Sequence, residues 1–315
     1  MVRARRFDER ALSLQRRGWM SGYPPFKGQE ASQVGCAHAL DDDDWLFPTY
    51  RSNAMLIARG VSMSDILLFR RGYPEYTSSH DKPNFTQSVP IATQIPHATG
   101  AGMAANYKDA SHSVLCYFGD GATSEGDFHE GLNFAGVFEA PLVFFCENNN
   151  WAISLPRYKQ TASDTLAQKA TAYGFEGVQV DGNDPLAVRE TVEDALEKAK
   201  DGEPVMIESL TYRQGAHTTS DDPDRYRDIE EELPDWRTKD PLERYEEYLK
   251  NQGVIDDQFV ERTREDAESE IDNSVKEAES ADPLGPEYMF EQVYHEMTPE
   301  LRDQKEWLLE YLGEE

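Results

Sequence analysis

The segment from Gly119 to Asn149 constrains the fold of this chain more than any other. An apolar run over residues 113–118 ends in Gly-Asp-Gly, and a second run over 142–146 ends in Glu-Asn-Asn. An amphipathic stretch with helical spacing separates the two runs. Two buried strands joined by a helix lie parallel, so their carboxyl ends meet at one edge of a sheet. The pattern therefore predicts that Asp120 and Asn149 lie close together at that edge.

Asp120 and Asn149 both offer side-chain oxygens. A hard cation that bridges to a diphosphate usually takes one or two oxygens from the protein and the rest from water and phosphate. Taken singly, Gly-Asp-Gly can be an ordinary turn and the Asn pair a helix cap. Their agreement with the strand-helix-strand pattern favours a cation and diphosphate site. The helix between them is expected to begin with a capping box of Ser124 and Asp127.

Helices and strands alternate along most of the chain. After Asn149 the predicted order is helix, strand, helix and strand, over 165–173, 177–180, 186–200 and 205–211. A single helix over 52–69, a long loop over 73–89 and a helix over 100–107 are expected before the Gly119 segment. This alternation predicts an α/β fold with a parallel sheet and helices on both faces. Ligands then bind beyond the carboxyl ends of the strands.

The end of the chain has a different composition. Charged helices are predicted over 242–250 and 258–279. A chain of 315 residues can build one large α/β core with a helical extension, or two modest domains. We expect a cofactor-binding α/β domain over 1–240 and a charged helical extension over 241–315.

The charge balance is strongly acidic, with 60 acidic against 31 basic residues and a net charge of −29. Nucleic acid is excluded as an expected partner because phosphate binding depends on clustered Lys and Arg. Apolar periodicity and 11% aromatic residues argue against intrinsic disorder. Concentrated salt screens the self-repulsion of such a chain within about 3 Å at 1 M. The balance predicts a halophilic protein and favours a haloarchaeal source.

The cysteines and the hydropathy of the chain indicate the cellular compartment in which the protein is expected to occur. Cys36, Cys116 and Cys146 form no CxxC pair, and two of them lie in apolar strand runs, which is typical of buried thiols in a reducing cytoplasm. No apolar run approaches the roughly 18 residues of a membrane helix, so no membrane partner is expected.

Several segments together make the chain recognisable. It resembles the alpha subunit of the thiamine-diphosphate-dependent, decarboxylating first component of 2-oxo acid dehydrogenase complexes. The resemblance covers nearly the whole chain and is carried by GQEASQVG, FPTYR, SVPIATQIPHATGAG, the segment from Gly119 to Asn149, VDGNDPLAV and TYRQGAHTTSDDPDRYR. SEGDFHEGLNFA, ATQIP, TTSDD and DPLGPEYMFEQVYHEM favour branched-chain members. Glu147 stands where branched-chain members often carry a phosphate-binding arginine and pyruvate-type members a glutamate.

The resemblance implies a set of cofactor contacts. Asp120, Asn149 and the backbone carbonyl of Trp151 would ligate Mg²⁺. Tyr50 and Arg51 match the diphosphate-binding pair, and an arginine fork suits phosphate oxygens. The other implied contacts to thiamine diphosphate are Val89, Ile91, Gly119, Gly121, Ala122 and His217. Of these, Ile91 falls at the hydrophobic position that bends the cofactor.

Two histidines match catalytic positions of the family. His217 matches the active-site histidine on a loop after a strand, which would stabilise the bound intermediate and assist transfer to the lipoyl group. His80 lies in the long loop where relatives place a second active-site histidine, although the spacing here is shorter than in several relatives.

A second cation site is implied by the branched-chain resemblance. Ser88, Pro90, Thr93 and Gln94 fall where branched-chain members bind a structural K⁺ with hydroxyl and carbonyl oxygens. An ordinary turn into a helix is the alternative interpretation of this segment.

The resemblance also implies partners and a reaction. The chain would act in an α2β2 heterotetramer, decarboxylate a 2-oxo acid and pass the acyl group to a lipoylated acyltransferase component. The glutamate that activates the cofactor belongs to the beta subunit in this family, so the chain alone would be inactive. Relatives carry a segment before the helix with FDERALSLQRRG, so we expect the natural start to lie upstream of Met1.

Two other functions stay open from the sequence. Gly100 and Gly102 in GAGMAA mimic a dinucleotide fingerprint, which would indicate an NAD-linked dehydrogenase, although a close helix crossing is the better interpretation. The other possibility is a non-catalytic acidic subunit that only scaffolds a partner.

Overall fold

Five parallel strands form the sheet on which the rest of the fold is arranged. The computed structural model describes residues 1–74, 76, 80–87, 89–227 and 235–313. The sheet strands are β1 (Trp45–Phe47), β2 (Val114–Gly119), β3 (Leu142–Asn148), β6 (Glu176–Asp181) and β7 (Val205–Leu210). Their spatial order is β1-β2-β3-β7-β6, and each neighbouring pair is parallel. A short antiparallel pair, β4 (Trp151–Ala152) and β5 (Leu155–Pro156), follows β3. The predicted α/β fold with a parallel sheet is confirmed.

Helices connect the strands and continue after the last one. In the first half of the chain they are α1 (Val2–Arg16), α2 (Glu30–Ala37), α3 (Asn53–Ala58), α4 (Met63–Arg70), α5 (Gln94–Lys108) and α6 (Gly126–Val137). The second half adds α7 (Arg157–Gln160), α8 (Pro185–Lys200), α9 (Asp235–Thr238), α10 (Pro241–Asn251), α11 (Asp257–Ser280), α12 (Tyr288–Glu291) and α13 (Pro299–Leu312). In the described part of the chain, 3₁₀ helices cover Asp120–Ser124, Ala167–Tyr173 and Pro223–Arg225.

The sheet is buried on both faces. Alternate residues of β2 and β3, such as Cys116 and Phe144, join one core cluster with Phe128 and Leu132 of α6. The intervening residues of these strands are also buried but lie outside that cluster, because successive side chains of a strand point to opposite faces. Helix α8 packs against β3 and β7, and α2 packs on α8. Near-continuous apolar strands are the sequence signature of such a two-sided parallel sheet.

Two of the predicted helices differ from the structure for identifiable reasons. The single helix predicted over 52–69 is two helices, α3 and α4, because the chain turns at Gly60 with φ +93°. Only glycine adopts that angle without strain. Helix α5 begins at Gln94 rather than Gly100, since Pro96 is tolerated in the first turn of a helix.

The capping box predicted for α6 is wrong. The chain after β2 first makes the 3₁₀ turn Asp120–Ser124, which the Thr123 hydroxyl supports by donating to the Asp120 carbonyl at 2.9 Å. The helix therefore starts at Gly126 with Glu125 as its N-cap residue, and no side chain caps it. The segment predicted as a helix over 165–173 is also a 3₁₀ helix, Ala167–Tyr173.

The chain divides into two compact units, Met1–Val275 and Lys276–Glu315. The second unit contains α12 and α13, which are joined by an ion pair of 2.6 Å between Lys305 and Glu291. The functional boundary that we expect near residue 240 stays a prediction. Among the described residues, no helix is both long and apolar enough to cross a membrane.

Gly177 of β6 provides a test of this packing. A Cβ atom at Gly177 would lie 1.9 Å from the carbonyl oxygen of Ala167, so the backbone of one element would have to move. Because overpacked cores lose about 1–3 kcal/mol, we expect Gly177→Ala to lower the free energy of unfolding by about 3 kcal/mol. Guanidinium denaturation measures this change.

The matched control is Gly100→Ala in α5, where an added Cβ meets nothing within 4 Å. That substitution should leave the free energy of unfolding unchanged or raise it by up to about 1 kcal/mol. Equal stability of the two variants would contradict the close contact between β6 and the 3₁₀ helix that precedes it.

Candidate functional site

Loops that follow four different strands meet at the carboxyl edge of the sheet. Arg51 follows β1, Asp120 follows β2, Asn149 follows β3 and His217 lies in the segment after β7. All four line one cavity of about 240 Å³. Every other predicted cofactor contact except Val89 lines it too: Tyr50, Ile91, Gly119, Gly121, Ala122 and Trp151. This is the place where open parallel sheets bind ligands.

Asp120 and Asn149 supply oxygen donors from neighbouring strands. Asp120 is only 2% exposed, and its Oδ2 accepts a hydrogen bond of 3.1 Å from Gln160 Nε2. The Asn149 side chain is fixed at both ends, because Nδ2 donates to Gln29 Oε1 at 2.9 Å and Oδ1 accepts from the Trp151 amide at 3.1 Å. A carboxylate offers about four lone-pair sites and an amide oxygen two, so both retain acceptor capacity.

Burial controls the protonation of Asp120. Removal from water raises the pKa of this carboxyl group to about 6, although Gln160 and nearby arginines oppose the shift. A bound cation would favour the charged carboxylate and reverse the shift.

The turn that carries Asp120 is held closely by the β4–β5 hairpin. A Cβ atom at Gly121 would lie 2.9 Å from Cβ of Ala152. This contact places Trp151, whose ring packs 5.5 Å from that of Tyr226, beside Asn149. One carboxylate, one amide oxygen and a backbone carbonyl form a donor set that fits a hard cation such as Mg²⁺.

Arg51 places a buried positive charge against the cavity. Its Nη1 donates to the Pro25 carbonyl at 2.6 Å, and its Nη2 donates to Nδ1 and to the carbonyl of His217 at 3.0 and 2.9 Å. The guanidinium also lies over the Tyr50 ring, 5.3 Å from its centroid. A guanidinium carries five N–H bonds, so these three bonds leave two for a ligand. Since the three acceptors are neutral, none of them cancels the charge.

His217 is held as a neutral hydrogen-bond donor. Arginine cannot accept a hydrogen bond, so the contact from Arg51 makes Nδ1 the acceptor and puts the ring proton on Nε2. Burial, followed by the charges of Arg51 and Arg213, lowers the pKa of His217 to about 3 against the opposing effect of Asp221. The backbone amide of His217 donates to Asp221 Oδ2 at 2.7 Å, which fixes the loop.

Three further buried arginines surround the site, and the sequence patterns did not predict them. Arg213 donates to the carbonyls of Gly215 and Ile153, and Arg227 donates to those of Arg213 and Gly215. Arg237 donates to the carbonyls of Thr211 and Asn148. Burial lowers the pKa of Arg213 to about 10 and that of Arg237 also to about 10. The position of Arg213, three residues after β7 at the carboxyl edge, is the one sequence signal that could have identified it.

Within the described residues these buried arginines have no direct carboxylate partner, and buried cations of this kind create a positive potential. This arrangement is notable in a chain with a net charge of −29. Clefts of one sign of charge with low-dielectric walls concentrate ligands of the opposite sign. The site therefore suits an anion such as a diphosphate.

Glu147 adds a buried carboxyl group to the cavity wall, which Asp120 and Glu125 also line. Its Oε1 accepts hydrogen bonds from the Tyr117 hydroxyl at 2.6 Å and from Gln33 Nε2 at 3.4 Å. Burial raises the pKa of Glu147 to about 7. The group is therefore partly protonated near neutral pH, which reduces its repulsion of an anion.

Some predicted site residues lie apart from the cavity. His80 does not line it, and its Nε2 lies 3.3 Å from Oδ2 of Asp65 in α4. Val89 is exposed and does not line it either. The catalytic role of His80 and the cofactor contact of Val89 stay predictions.

The residues predicted to bind K⁺ lie near the start of α5, except that Ser88 is outside the described residues. Gln94 lines the cavity, and its Nε2 donates to the Tyr117 carbonyl at 2.9 Å. Its Oε1 is buried and has no hydrogen-bond partner in the described part of the chain. Thr93 precedes the helix without a side-chain cap, and Pro90 is exposed.

The structure rules out a dinucleotide fingerprint at Gly100 and Gly102. Both residues lie inside α5, whereas the fingerprint requires a tight turn between a strand and a helix. A Cβ atom at Gly102 would approach Cβ of Ala140 to 3.1 Å, so this glycine permits a close packing contact. The NAD-linked alternative loses its basis.

Comparison with known proteins identifies the family of this chain. Residues 1–287 match the family described as "Dehydrogenase E1 component". The chain is 43% identical over 319 residues to 3-methyl-2-oxobutanoate dehydrogenase subunit alpha of Mycobacterium tuberculosis, an alignment that covers 98% of this chain and 84% of the relative. It is 39% identical over 309 residues to pyruvate dehydrogenase E1 component subunit alpha of Staphylococcus aureus, covering 97% and 83%. The chain belongs to the dehydrogenase E1 component family.

Proposed function

We propose that this chain is the alpha subunit of a thiamine-diphosphate-dependent 2-oxo acid dehydrogenase. The enzyme decarboxylates a 2-oxo acid oxidatively and transfers the acyl group to a lipoyl group of an acyltransferase component. The convergence of Asp120, Asn149, Arg51 and His217 on one cavity is the observation that carries the proposal. The names of the two alpha-subunit relatives support the same reaction class.

The cofactor fits the chemistry of the cavity wall. Asp120, Asn149 and the Trp151 carbonyl would hold Mg²⁺, and the two free N–H bonds of Arg51 would bind diphosphate oxygens. When bound, thiamine diphosphate supplies a nucleophilic carbon and accepts the electron pair that decarboxylation releases. The chain itself binds and orients these groups and keeps the diphosphate in a positive environment.

His217 contributes a proton at a defined atom. Because its Nδ1 accepts from Arg51, its Nε2–H is the donor available to an oxygen of the substrate. A neutral donor stabilises developing negative charge on that oxygen without having to lose its proton near pH 7.

A partner chain would complete the site. Ile91 and Ile153 line the cavity and are exposed on this chain, and so are Val89, Leu155 and Tyr158, which lie near them in the sequence. Exposed apolar clusters of this kind are typical of protein interfaces. We assign this surface to a beta subunit, in an α2β2 assembly, which would supply the glutamate that activates the cofactor. The lipoylated acyltransferase component is the second proposed partner.

The substrate class and the cellular setting extend the proposal. A branched-chain 2-oxo acid is the favoured substrate because of the motifs around α6 and near the end of the chain, while Glu147 keeps pyruvate as the second candidate. The three free cysteines are buried, in keeping with a cytoplasmic protein. The net charge of −29 supports halophilic adaptation.

A potassium ion near the start of α5 is a further part of the proposal. The unpartnered Gln94 Oε1 is the observation that supports it, since buried acceptors are rarely left unsatisfied. Ser88, Pro90 and Thr93 would supply the other oxygens.

Removing the carboxylate at Asp120 tests the cofactor site. In the complex with the beta subunit, Asp120→Ala should weaken Mg²⁺-dependent binding of thiamine diphosphate more than about 100-fold, because even outer partners of a metal are worth about 10–100-fold in affinity. Binding is measured by calorimetry, and decarboxylation is assayed with pyruvate and 3-methyl-2-oxobutanoate.

The matched control is Asp127→Ala in the first turn of α6, which lies outside the cavity lining and should bind as the unchanged chain does. Unaltered binding in Asp120→Ala would contradict the assignment of this ligand. If the assembled complex decarboxylates neither acid with Mg²⁺ and cofactor present, the scaffold function gains support instead.

The Arg51–His217 contact predicts a pH response. Replacing Arg51 by methionine removes both a donor to Nδ1 and a neighbouring charge, so the pKa of His217 should rise from about 3 toward its ordinary value of 6.5. Histidine NMR across pH measures the titration. The control is Arg189→Met, because Arg189 lies on the exposed face of α8 and pairs with Glu193. This substitution should leave the pKa of His217 unchanged. If the pKa of His217 is the same in Arg51→Met as in the unchanged chain, the contact between Arg51 and His217 is contradicted.

The same histidine affects stability with a definite sign. The unfolded chain takes up a proton at His217 near pH 6.5, whereas the folded chain holds the pKa at about 3. Its contribution to folding is complete above pH 6.5 and is lost as the pH falls from 6.5 toward 3.

Potassium dependence tests the second cation site. If Gln94 Oε1 binds K⁺, KCl should stabilise the chain over NaCl at equal ionic strength, by about 2–3 kcal/mol at a concentration about 100 times the Kd. Thermal unfolding measures the difference, and Gln94→Met should abolish it. An equal stability in the two salts would leave Gln94 with a purely structural role.

A further inference from the structure

The segment between α1 and α2, residues 23–28, connects the N-terminal helix to the cavity, and we call it the clamp segment. Tyr23 and Phe26 are fully buried in it. Three of its backbone amides bond to carboxylates, whereas carbonyl groups of the segment and the Tyr23 amide, which donates to Thr219 Oγ1 at 3.2 Å, bond toward the cavity. This polarity gives the segment two distinct sides.

The N–H side faces two buried carboxylates. Asp8 of α1 is 3% exposed and accepts from the amides of Phe26 and Lys27, each at 3.0 Å, and from the Tyr23 hydroxyl at 2.7 Å. The next amide, that of Gly28, donates to Glu30 Oε2 at 3.0 Å. Three successive amides are therefore held by carboxylates.

The carbonyl side faces the candidate site. The Pro25 carbonyl accepts from Arg51 Nη1 at 2.6 Å, the Tyr23 carbonyl from the Thr219 amide at 3.0 Å, and the Lys27 carbonyl from the Gln214 amide at 2.9 Å. Thr219 and Gln214 flank His217 on both sides. The clamp segment thus bonds directly to Arg51 and to the loop that carries His217.

We propose that Asp8 is a positioning residue that sets Arg51 and the His217 loop through the clamp segment. The inference rests on the proposed function for its effect on cofactor binding. Asp8 itself lies outside the cavity lining and touches no reacting group. It acts by fixing the carbonyls of the clamp segment, which orient the Arg51 fork and the backbone on either side of His217.

Asp8→Asn discriminates this role because it keeps the shape of the side chain. An amide offers one acceptor atom where the carboxylate offers two, and its NH₂ group would face the backbone donors of the segment. Asp44→Asn is the matched control. Asp44 is equally buried and accepts from the amides of Ser113 and Asp41, but it lies at the amino end of β1, away from the site.

The test uses the full chain assembled with its beta subunit and has two readouts. The first is hydrogen–deuterium exchange of the Gln214 and Thr219 amides without cofactor. The second is the Kd for thiamine diphosphate with Mg²⁺. We expect Asp8→Asn to speed exchange at both amides and to raise the Kd about tenfold, a loss of about 1.4 kcal/mol, with Asp44→Asn changing neither.

Equal exchange and equal Kd in the two variants would overturn the proposal and leave Asp8 as an ordinary structural residue. If the unchanged complex binds no thiamine diphosphate, the proposed function fails, while the exchange readout still decides the positioning role. If Asp8→Asn does not fold, Tyr23→Phe removes one of the three bonds and should speed exchange at the same amides to a smaller extent. Unchanged exchange in Tyr23→Phe would then overturn the proposal.

Discussion

The guanidinium of Arg51 is the group on which the arrangement of the site depends. It joins the segment before α2, the loop after β1 and the loop after β7 by bonding to Pro25 and twice to His217. A buried cation is costly unless its donors are satisfied. Here the satisfying acceptors are neutral, so the charge remains available to the cavity. The same bond places the proton of His217 on Nε2, and one side chain thus determines both the charge and the donor of the site.

The arginines of this chain have two kinds of hydrogen-bond partner, and this difference explains how so acidic a chain can present a positive site to an anion. Four arginines of α1 pair with carboxylates, as Arg5 does with Glu30 at 2.5 Å and with Asp240 at 2.6 Å. Those at the carboxyl edge, such as Arg213, bond to backbone carbonyls instead. Pairing with carboxylates cancels the electric field of the α1 arginines. The arginines at the carboxyl edge bond to neutral carbonyls and therefore keep their positive potential. The acidic surface is screened over about 8–10 Å at moderate salt, and a buried group is screened much less.

Features of this molecule that follow from local sequence patterns could be predicted from the sequence. Features that depend on backbone angles or on contacts between distant loops could not. Asp120 and Asn149 could be placed together because strand order and direction follow from local patterns. The break at Gly60 and the 3₁₀ turn that displaced the Ser124 cap depend on backbone angles that composition does not specify. Arg213 was missed because its contact with Ile153, 60 residues earlier in the chain, forms only when folding brings the two loops together.

The cavity at the carboxyl edge is smaller than most sites that enclose a ligand. Ligand sites that enclose a drug-sized molecule usually measure about 300–1,000 Å³, and the cavity at the carboxyl edge measures about 240 Å³. Its floor is polar and rigid, with Asp120, Asn149 and Arg51 each held by hydrogen bonds, while Ile91 and Ile153 at its mouth are exposed. A rigid polar floor with an open apolar rim binds the charged end of a long ligand and leaves the rest to another surface. The shape of this chain therefore supports the proposed division of the site between two chains, because the polar floor is formed here and the walls that would enclose the rest of the ligand are not.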